Sequence, residues 1–320
     1  MKPILLHYYI TNRCNARCTF CDIWQQLPKT DAKSSEVFLN LEHARKAGCK
    51  FVDFTGGEPL LHPLLPDFLS YAKKLGYITS VTTNCTIFEK KVDNLRGKID
   101  LLHFSLDADS AEQHNKIRGC DSFDSVLSSI DVALDKGLIP DILFTYTQEN
   151  LEFFEGVYRL AREKKVMIIL DPVFAIESAD QLDSKIHQKA VQFSKRRGVY
   201  LNKAHIVLRQ RGGNRIEAPR CRAVSSTVVL LPDNTMALPC YHHREELVPV
   251  DGDLFNRLSG QRRRRAKENE GTYSFCEGCH INCYMDPSYQ YRFDRYFRVS
   301  ITSKLKYAWD KYFHFKRPLP

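Results

Sequence analysis

The stretch Ile4–Cys21, ILLHYYITNRCNARCTFC, joins an apolar segment to a polar loop that contains three cysteines. Apolar and aromatic residues dominate Ile4–Ile10, which predicts a buried strand. The loop that follows it places Cys14, Cys18 and Cys21 within eight residues. In α/β barrels the functional side chains gather at the carboxyl ends of the strands, so we expect this loop at the functional end of the fold.

The same order of strand and helix continues to about residue 171. Further apolar segments predict strands at Phe51–Phe54, Ile78–Thr83, Leu101–Leu106, Ile142–Thr147 and Val166–Leu170. Helical spacing is found at Ser35–Gly48, Leu64–Gly76, Ser122–Gly137, Leu151–Lys165 and Ser178–Gly198. Strands that alternate with helices predict right-handed βαβ units around a parallel sheet. The expected fold is therefore α/β, a partial (β/α)6 TIM-like barrel.

The composition is that of a globular protein, with 43% hydrophobic and 27% charged residues among 320. It excludes a wholly disordered chain and a fibrous repeat. No apolar run approaches the roughly 18 residues that cross a bilayer. Residues 1–14 contain no small-residue cleavage site of a secretory signal. We therefore expect a cytoplasmic protein.

The cysteines are distributed unevenly. Of eleven, six form two tight groups: Cys14, Cys18 and Cys21, and Cys276, Cys279 and Cys283. In a reducing compartment such groups favour metal or iron–sulfur ligation over disulfides. Three thiolates in one short loop can bind three irons of a cubane cluster and leave the fourth iron open. The alternative is a zinc knuckle, with His7 in place of the missing fourth ligand.

The spacing Cys-x3-Cys-x2-Cys, with Phe20 just before the third cysteine, resembles that of the radical S-adenosylmethionine (radical SAM) superfamily. After the second strand, the segment TGGEP at 55–59 resembles a second motif of that family. Further matching segments are TTN at 82–84, SLD at 105–107 and HNKIRG at 114–119. The resemblance covers about residues 4–175. Cys85 departs from it, because the family usually has glycine there.

The resemblance implies a role for each matching residue. A catalytic [4Fe–4S] cluster would be held by Cys14, Cys18 and Cys21. The amino group of S-adenosylmethionine would be held by Gly56, Gly57, Glu58 and Pro59. Ser105 would bind the ribose, Thr83 or Arg118 the carboxylate region, and Phe20 would lie near the adenine. Reductive cleavage of this cofactor yields a 5′-deoxyadenosyl radical, which takes hydrogen from an unactivated carbon.

The second cysteine group extends over a longer part of the chain. Cys221 precedes a hairpin predicted at Thr227–Leu231 and Thr235–Leu238, and Cys240 ends it. With Cys276, Cys279 and Cys283, this pattern resembles the C-terminal SPASM and twitch extensions. The resemblance implies one auxiliary [4Fe–4S] cluster bound by Cys221, Cys240, Cys276 and either Cys279 or Cys283, with Cys279 slightly favoured. The alternative is a structural zinc site built from the same residues.

These patterns predict three regions. Residues 1–200 are expected to form the radical SAM core, and 201–290 a small C-terminal iron–sulfur domain of SPASM or twitch type. The polar segment 209–220 is the expected linker. Residues 291–320 would form a basic, aromatic C-terminal helix or tail.

The tail carries most of the positive charge. The net charge is +9, and residues 261–320 contain 13 lysines and arginines against six acids. Helical spacing puts one set of apolar residues on a common face: Ile301, Leu305, Ala308, Trp309, Tyr312 and Phe313. We expect this face to pack on the barrel. Peripheral contact with an anionic membrane is the second interpretation, and RNA binding through stacked aromatics is the least favoured.

The sequence thus predicts a radical SAM enzyme assisted by an auxiliary cluster and supplied by an electron donor such as flavodoxin or ferredoxin. Two classes of substrate stay open: a peptide or protein, and a small molecule or lipid that is oxidised or coupled. Because the cysteine loop begins at residue 14, we expect no N-terminal peptide-recognition domain. The rival function is a non-catalytic zinc protein that contacts nucleic acid through its basic tail.

Overall fold

The computed structural model describes residues 2–174 and 182–315. Its strands are β1 Leu5–Thr11, β2 Phe51–Gly56, β3 Ile78–Thr83, β4 Leu101–Ser105, β5 Pro140–Tyr146, β6 Ile168–Pro172, β7 Val199–Tyr200, β8 Thr227–Leu230, β9 Thr235–Leu238 and β10 Glu246–Pro249. Its helices are α1 Ser34–Ala47, α2 Leu65–Lys74, α3 Val92–Leu95, α4 Ala111–Arg118, α5 Phe123–Asp135, α6 Phe154–Lys164, α7 Ser184–Phe193, α8 Lys203–Arg209, α9 Ala223–Ser226, α10 Leu254–Ser259, α11 Gln261–Glu268, α12 Asn282–Ser288 and α13 Arg295–Ala308. Of the predicted helix at 178–198, residues 178–181 lie outside the described part.

The strands form one sheet in the order β10-β9-β8-β1-β2-β3-β4-β5-β6-β7 within the described residues. From β1 to β7 each strand pairs in parallel with the next one along the chain. Helices connect most of these strands, as parallel pairing requires. The predicted α/β partial barrel is confirmed.

The C-terminal hairpin extends this same sheet. Strand β8 pairs in parallel with β1, where Thr227 lies opposite Leu5 and Leu230 opposite Tyr8. Strands β9 and β10 then add in antiparallel fashion. The segment 201–290 therefore shares the sheet of the barrel, and its assignment as an auxiliary-cluster domain stays a prediction.

The helices bury apolar stripes against the strands. In α1 the residues Val37, Leu41 and Ala44, spaced by four and three, are fully buried. The helices α1, α2 and α5 were predicted to end at Gly48, Gly76 and Gly137, and all three glycines have a positive φ. A positive φ departs from the right-handed helical conformation and so ends the helix. Glycine is favoured there because residues with a Cβ rarely adopt a positive φ.

The segment 209–220, expected to be a linker, is partly built into the structure, and that prediction is wrong for its centre. The side chain of Asn214 is fully buried. Its Nδ2 donates to the carbonyl oxygens of Gly271 and Cys276, at 2.8 and 3.0 Å. Its Oδ1 accepts from the backbone N–H groups of Arg220 and Cys221, at 2.8 and 3.1 Å. A polar residue can be buried when all its hydrogen bonds are made, and polarity alone suggested a solvated loop.

The C-terminal helix packs on the barrel through the opposite face from the one predicted. Leu305, Trp309 and Phe313 are 62–64% exposed. The buried side chains are polar, and Lys311 forms an ion pair of 2.7 Å with Asp141. The prediction of an apolar contact face is therefore wrong, because buried acids of the barrel need partners that apolar side chains cannot supply.

No helix among the described residues is long and apolar enough to span a bilayer. Peripheral membrane contact through the tail and a cytoplasmic location stay predictions, and residues 316–320 lie outside the described part.

Candidate active site at the carboxyl ends of the strands

The first cysteine loop is held between the segments TGGEP at 55–59 and HNKIRG at 114–119. Arg17 N donates to Arg118 O at 2.9 Å, and Thr19 N donates to Ile117 O at 3.0 Å. On the other side, Glu58 N donates to Arg13 O at 2.8 Å. The loop is thus clamped by backbone hydrogen bonds to Glu58 of TGGEP and to the end of HNKIRG.

The glycines of these segments make this clamp sterically possible. A Cβ on Gly57 would lie 2.2 Å from Arg13 O, and one on Gly119 would lie 2.6 Å from Arg17 O. Both distances are below any real contact of a Cβ, so each position requires glycine while the loop stays where it is. In both cases the nearest atom belongs to the backbone of the cysteine loop. This close approach explains the two glycines, and the spacing of the motifs alone did not reveal it.

The thiols of the three loop cysteines are partly buried, and none of them forms a disulfide. Burial raises the pKa of Cys14 to about 11 and also raises the pKa of Cys21. Arg118 Nη1 lies 3.6 Å from Cys18 Sγ, as a donor to it. Three soft sulfur donors in one loop fit iron ligation, since a bound metal favours the thiolate.

His7, proposed as a stand-in fourth ligand, lies in the middle of β1, and its Nδ1 is 3.1 Å from Asp53 Oδ2 on β2. Although burial alone would raise the pKa of Asp53, the bond and charge of His7 and a bond from Ser80 hold that pKa below its usual value. The other ring nitrogen of His7, Nε2, is buried and makes no hydrogen bond among the described residues. The contact with Asp53 thus leaves Nε2 available as a ligand, and the zinc alternative for the first loop stays a prediction.

Glu58 is a buried carboxylate at the floor of the site. Its Oε1 accepts from Leu60 N at 3.0 Å and from Thr83 Oγ1 at 2.8 Å, and its Oε2 accepts from Asn84 N at 2.8 Å. Burial raises the pKa of Glu58 to about 7 in spite of these donors. Thr83 thus helps to position Glu58, and its expected contact with a ligand carboxylate stays a prediction.

Arg118 completes the side of the site next to Cys18. Its Nη2 forms a buried ion pair with Asp107 Oδ2 at 2.6 Å, and its guanidinium lies over the ring of Phe20, 5.5 Å from the centroid. In the sequence, Asp107 is the last residue of the SLD segment, and no role was predicted for it. The signal available in the sequence was an acid directly after a buried strand. Ser105 ends β4 and is 5% exposed.

Cys85 adopts the backbone conformation of the glycine that it replaces. Its φ is 66°, in the left-handed region, and its side chain is buried. Cys85 N donates to Thr83 Oγ1 at 3.1 Å. The turn after β3 is thus formed, although Cys85 stands where the family usually has glycine. The hydroxyl oxygen of Thr83 accepts the hydrogen bond of this turn.

The second cysteine group is assembled beside β8 and β9. Burial, and then the neighbouring thiols of Cys279, Cys240 and Cys276, raise the pKa of Cys221. Asn214 connects three of these segments, because besides its bonds to Cys221 and Cys276 its backbone N donates to Cys279 O at 2.8 Å. Asn214 is a residue that the sequence reasoning missed.

Cys283 is placed differently from the other four. Its Sγ lies 3.9 Å from His242 Nε2. Burial, followed by Cys240, Asp171 and Cys279, raises its pKa. Burial also raises the pKa of Cys276 to about 12 and of Cys279 to about 11. Among the described residues, no three His, Cys, Asp or Glu side chains come close enough to hold a single metal ion.

Comparison with known families agrees with the geometry of the first loop. A model described as "Radical SAM superfamily" matches residues 8–161, which run from β1 into α6. This range includes the cysteine loop, Glu58 and the clamp around Arg118. This part of the chain, just under half of its residues, matches the radical SAM superfamily.

Curated relatives match about half of the chain. A protein named "Probable GTP 3′,8-cyclase" from Saccharolobus solfataricus is 34% identical over 176 residues, which are 52% of this chain and 57% of that protein. An Fe-coproporphyrin III synthase from Methanosarcina barkeri is 23% identical over 171 residues. The chain therefore spans about half the length of the curated relatives that it matches.

Two solved structures resemble most of the chain. Streptococcus suis SuiB bound to S-adenosylmethionine has a TM-score of 0.68 and 16% identity, and the match covers 92% of this chain and 73% of SuiB. The enzyme anSMEcpe with bound AdoMet has a TM-score of 0.65 and 16% identity, with 96% and 93% covered. At this identity the likeness establishes the fold alone.

Proposed function

We propose that this chain reductively cleaves S-adenosylmethionine and uses the resulting radical to take hydrogen from a substrate. The observation that carries the proposal is the cysteine loop itself, clamped at the carboxyl ends of the strands between the TGGEP and HNKIRG segments. A cluster bound there supplies one electron to the cofactor, whose sulfur–C5′ bond breaks to give methionine and a 5′-deoxyadenosyl radical.

The residues around the loop would bind and orient the cofactor. Cys14, Cys18 and Cys21 would hold the cluster, and Glu58 would accept a hydrogen bond from the ammonium group of S-adenosylmethionine. The Arg118–Asp107 pair fixes a positive charge beside Cys18. A protein donor of flavodoxin or ferredoxin type would supply the electron.

The direct test is product analysis. Anaerobically reconstituted chain, reduced with dithionite, should convert S-adenosylmethionine to 5′-deoxyadenosine and methionine in equal amounts. Iron and sulfide analysis of the same sample separates this function from the rival zinc protein. Zinc in place of iron, with no 5′-deoxyadenosine, would contradict the proposal.

Glu58→Gln should weaken the binding of S-adenosylmethionine by about 1–3 kcal/mol, the scale of a charge-assisted hydrogen bond. Since the pKa of Glu58 is raised to about 7, its charged form is lost as the pH falls through 7. In the unmodified chain the affinity should therefore rise between about pH 6 and pH 8. Equilibrium dialysis of the cluster-loaded protein measures both effects. An equally steep rise in the variant would exclude Glu58 as the titrating group.

We also propose an auxiliary [4Fe–4S] cluster in the second cysteine group, bound by Cys221, Cys240, Cys276 and Cys279. The support is that Asn214 joins the segments of three of these cysteines, and that Cys221 is close to all the other three. Cys283 is favoured less, because it is turned towards His242. A cluster closed by four protein ligands cannot chelate S-adenosylmethionine, so its role would be electron transfer or support of the fold.

The two groups can be separated by counting iron. Removal of Cys14, Cys18 and Cys21 together should leave about four irons per chain and no cleavage of S-adenosylmethionine, by the stoichiometry of one [4Fe–4S] cluster. Removal of Cys240 and Cys276 should also leave about four irons, with cleavage retained. If S-adenosylmethionine perturbed the EPR spectrum of the first variant, the auxiliary cluster would have an open iron and this division would fail.

The class of substrate follows less directly. SuiB has been solved with its precursor peptide SuiA, and anSMEcpe with the peptide Cp18Cys. Peptide or protein modification is therefore one proposal for this chain, and oxidation or coupling of a small molecule or lipid is the other. Stimulation of 5′-deoxyadenosine formation by fractions of a cell extract, with or without prior protease treatment, distinguishes the two.

A further inference from the structure

A cavity of about 300 Å³ is lined by the segments that follow the two cysteine groups. Gln26, which comes after Cys21, lies in one wall, and Arg244, which comes after Cys240, lies in another. The volume is at the lower end of the range for small-molecule sites. The residues expected to contact S-adenosylmethionine are not among those that line this cavity.

Three side chains form a stack at the wall of this cavity. The rings of Tyr9 and Tyr241 are parallel within 4°, with 3.9 Å between their centroids. The guanidinium carbon of Arg244 lies 4.1 Å from the centroid of Tyr241. Because Tyr9 covers one face of Tyr241, Arg244 must cover the other. Its outer face is then free to meet a ligand.

The backbone of Arg244 is fixed in an uncommon conformation. Its φ is 42°, in the left-handed region that residues with a Cβ rarely adopt. Arg244 N donates to Cys240 O at 3.2 Å, and Arg244 Nε donates to Tyr241 O at 2.7 Å. These bonds and the stack restrict the side chain to one position, so little conformational entropy remains to be lost on binding.

The charge of Arg244 has no partner among the described residues. Its terminal nitrogens make no ion pair there, although Asp233 lies in the same wall. Asp233 Oδ1 instead accepts from Thr235 N at 3.2 Å and from Thr235 Oγ1 at 2.7 Å. Gln26 is likewise occupied, since its Nε2 donates to Tyr241 OH at 2.9 Å. The guanidinium of Arg244 therefore has no carboxylate partner among the described residues and can bind an anion.

We propose that this cavity binds the charged end of a small organic anion, a carboxylate or a phosphate, with Arg244 as its anchor. A planar guanidinium with two terminal nitrogens available matches the oxygens of either group in a bidentate contact. The proposal rests on the proposed function, since it names the substrate class of the same enzyme. It favours a small-molecule substrate over a lipid surface.

The test uses the reconstituted chain without reductant and two dyes of similar size. One is the anion 8-anilinonaphthalene-1-sulfonate and the other is the neutral N-phenyl-1-naphthylamine, both measured by anaerobic equilibrium dialysis. Arg244→Met should weaken binding of the anionic dye by about tenfold or more, the loss of one charge-assisted contact, and leave the neutral dye unchanged. Arg244→Lys keeps the charge but loses the bidentate guanidinium, so it should recover only part of the affinity lost in Arg244→Met. Arg264→Met, at an exposed position of α11, is the matched control.

Displacement of the anionic dye identifies the anion. Glucose 6-phosphate or gluconate, but not glucose, should compete with the dye in the unmodified chain, and the stronger competitor shows whether phosphate or carboxylate is preferred. Equal affinity of the anionic dye for the unmodified chain and Arg244→Met would overturn the proposal, as would equal losses for both dyes, or competition by glucose alone. None of these results depends on cleavage of S-adenosylmethionine, so failure of the proposed function would be seen separately.

Discussion

Cys18→Ala should abolish formation of 5′-deoxyadenosine from S-adenosylmethionine. Cys18 is the middle thiol of the clamped loop, beside the Nη1 of Arg118. With only two thiolates left, the loop can no longer hold three irons of a cubane cluster. The chain then lacks the cluster that would supply the electron for the cleavage. The measurement is chromatographic detection of 5′-deoxyadenosine after reduction with dithionite, together with iron content.

A matched control is available in Cys120→Ala. Cys120 is a partly exposed thiol between α4 and α5, 3.6 Å from the Oγ of Ser122, and it belongs to neither cysteine group. This variant should retain cleavage close to that of the unmodified chain. Turnover that survived the loss of Cys18 would refute the central proposal, because no other residue is proposed for that ligand.

Lys311→Met should lower the free energy of unfolding by about 3–5 kcal/mol, the usual effect of removing one partner of a buried ion pair. The side chains of Lys311 and Asp141 are only 3% and 1% exposed. Lys311 Nζ also donates to Tyr307 OH at 2.9 Å, and Tyr307 OH donates to Asp141 at 2.5 Å. The substitution leaves a carboxylate inside the barrel with one donor instead of two.

The exposed ion pair between Lys136 and Asp93 gives the comparison. These side chains are 39% and 71% exposed, so Lys136→Met should cost less than about 1 kcal/mol. Chemical denaturation of the chain without clusters measures both variants. Replacing Asp141 and Lys311 together by apolar residues should restore much of the loss, since no unpaired charge then remains. A Lys311→Met chain as stable as Lys136→Met would show that the tail does not depend on this pair.

Most of the barrel could be predicted because local pattern and tertiary packing favour the same structure there. Strand β3 has the predicted bounds, Ile78–Thr83, since five of its six residues are β-branched and favour an extended backbone. Strand β10 was missed because Glu246–Pro249 is largely exposed and ends in proline, so it carries no signal of burial. Its position is set by the neighbouring β9.

The residues that would bind the cluster and the cofactor could be predicted from the sequence. The residues that hold them in position were harder to predict. Cysteines and the TGGEP segment have characteristic spacing, but the ion pair of Arg118 and Asp107 depends on how α4 meets the end of β4. The same limit applies to Asn214, whose hydrogen-bond partners include Cys276, 62 residues away in the chain, and the still more distant Cys279. In the tail, the spacing correctly indicated a helix, yet the face to be buried was decided by Asp141, which the sequence gives no reason to connect with Lys311.

The parallel pairing of β8 with β1 has a consequence for any shortened form of this protein. A chain that ended at residue 200 would lack β8, and β1 would become an edge strand with unpaired N–H and C=O groups. The exposed segment LLHYYIT has high β-propensity and no charge other than that of a histidine. Edges of this kind recruit strands from other molecules. Such a fragment should therefore aggregate, even though it would contain every residue of the first cysteine loop.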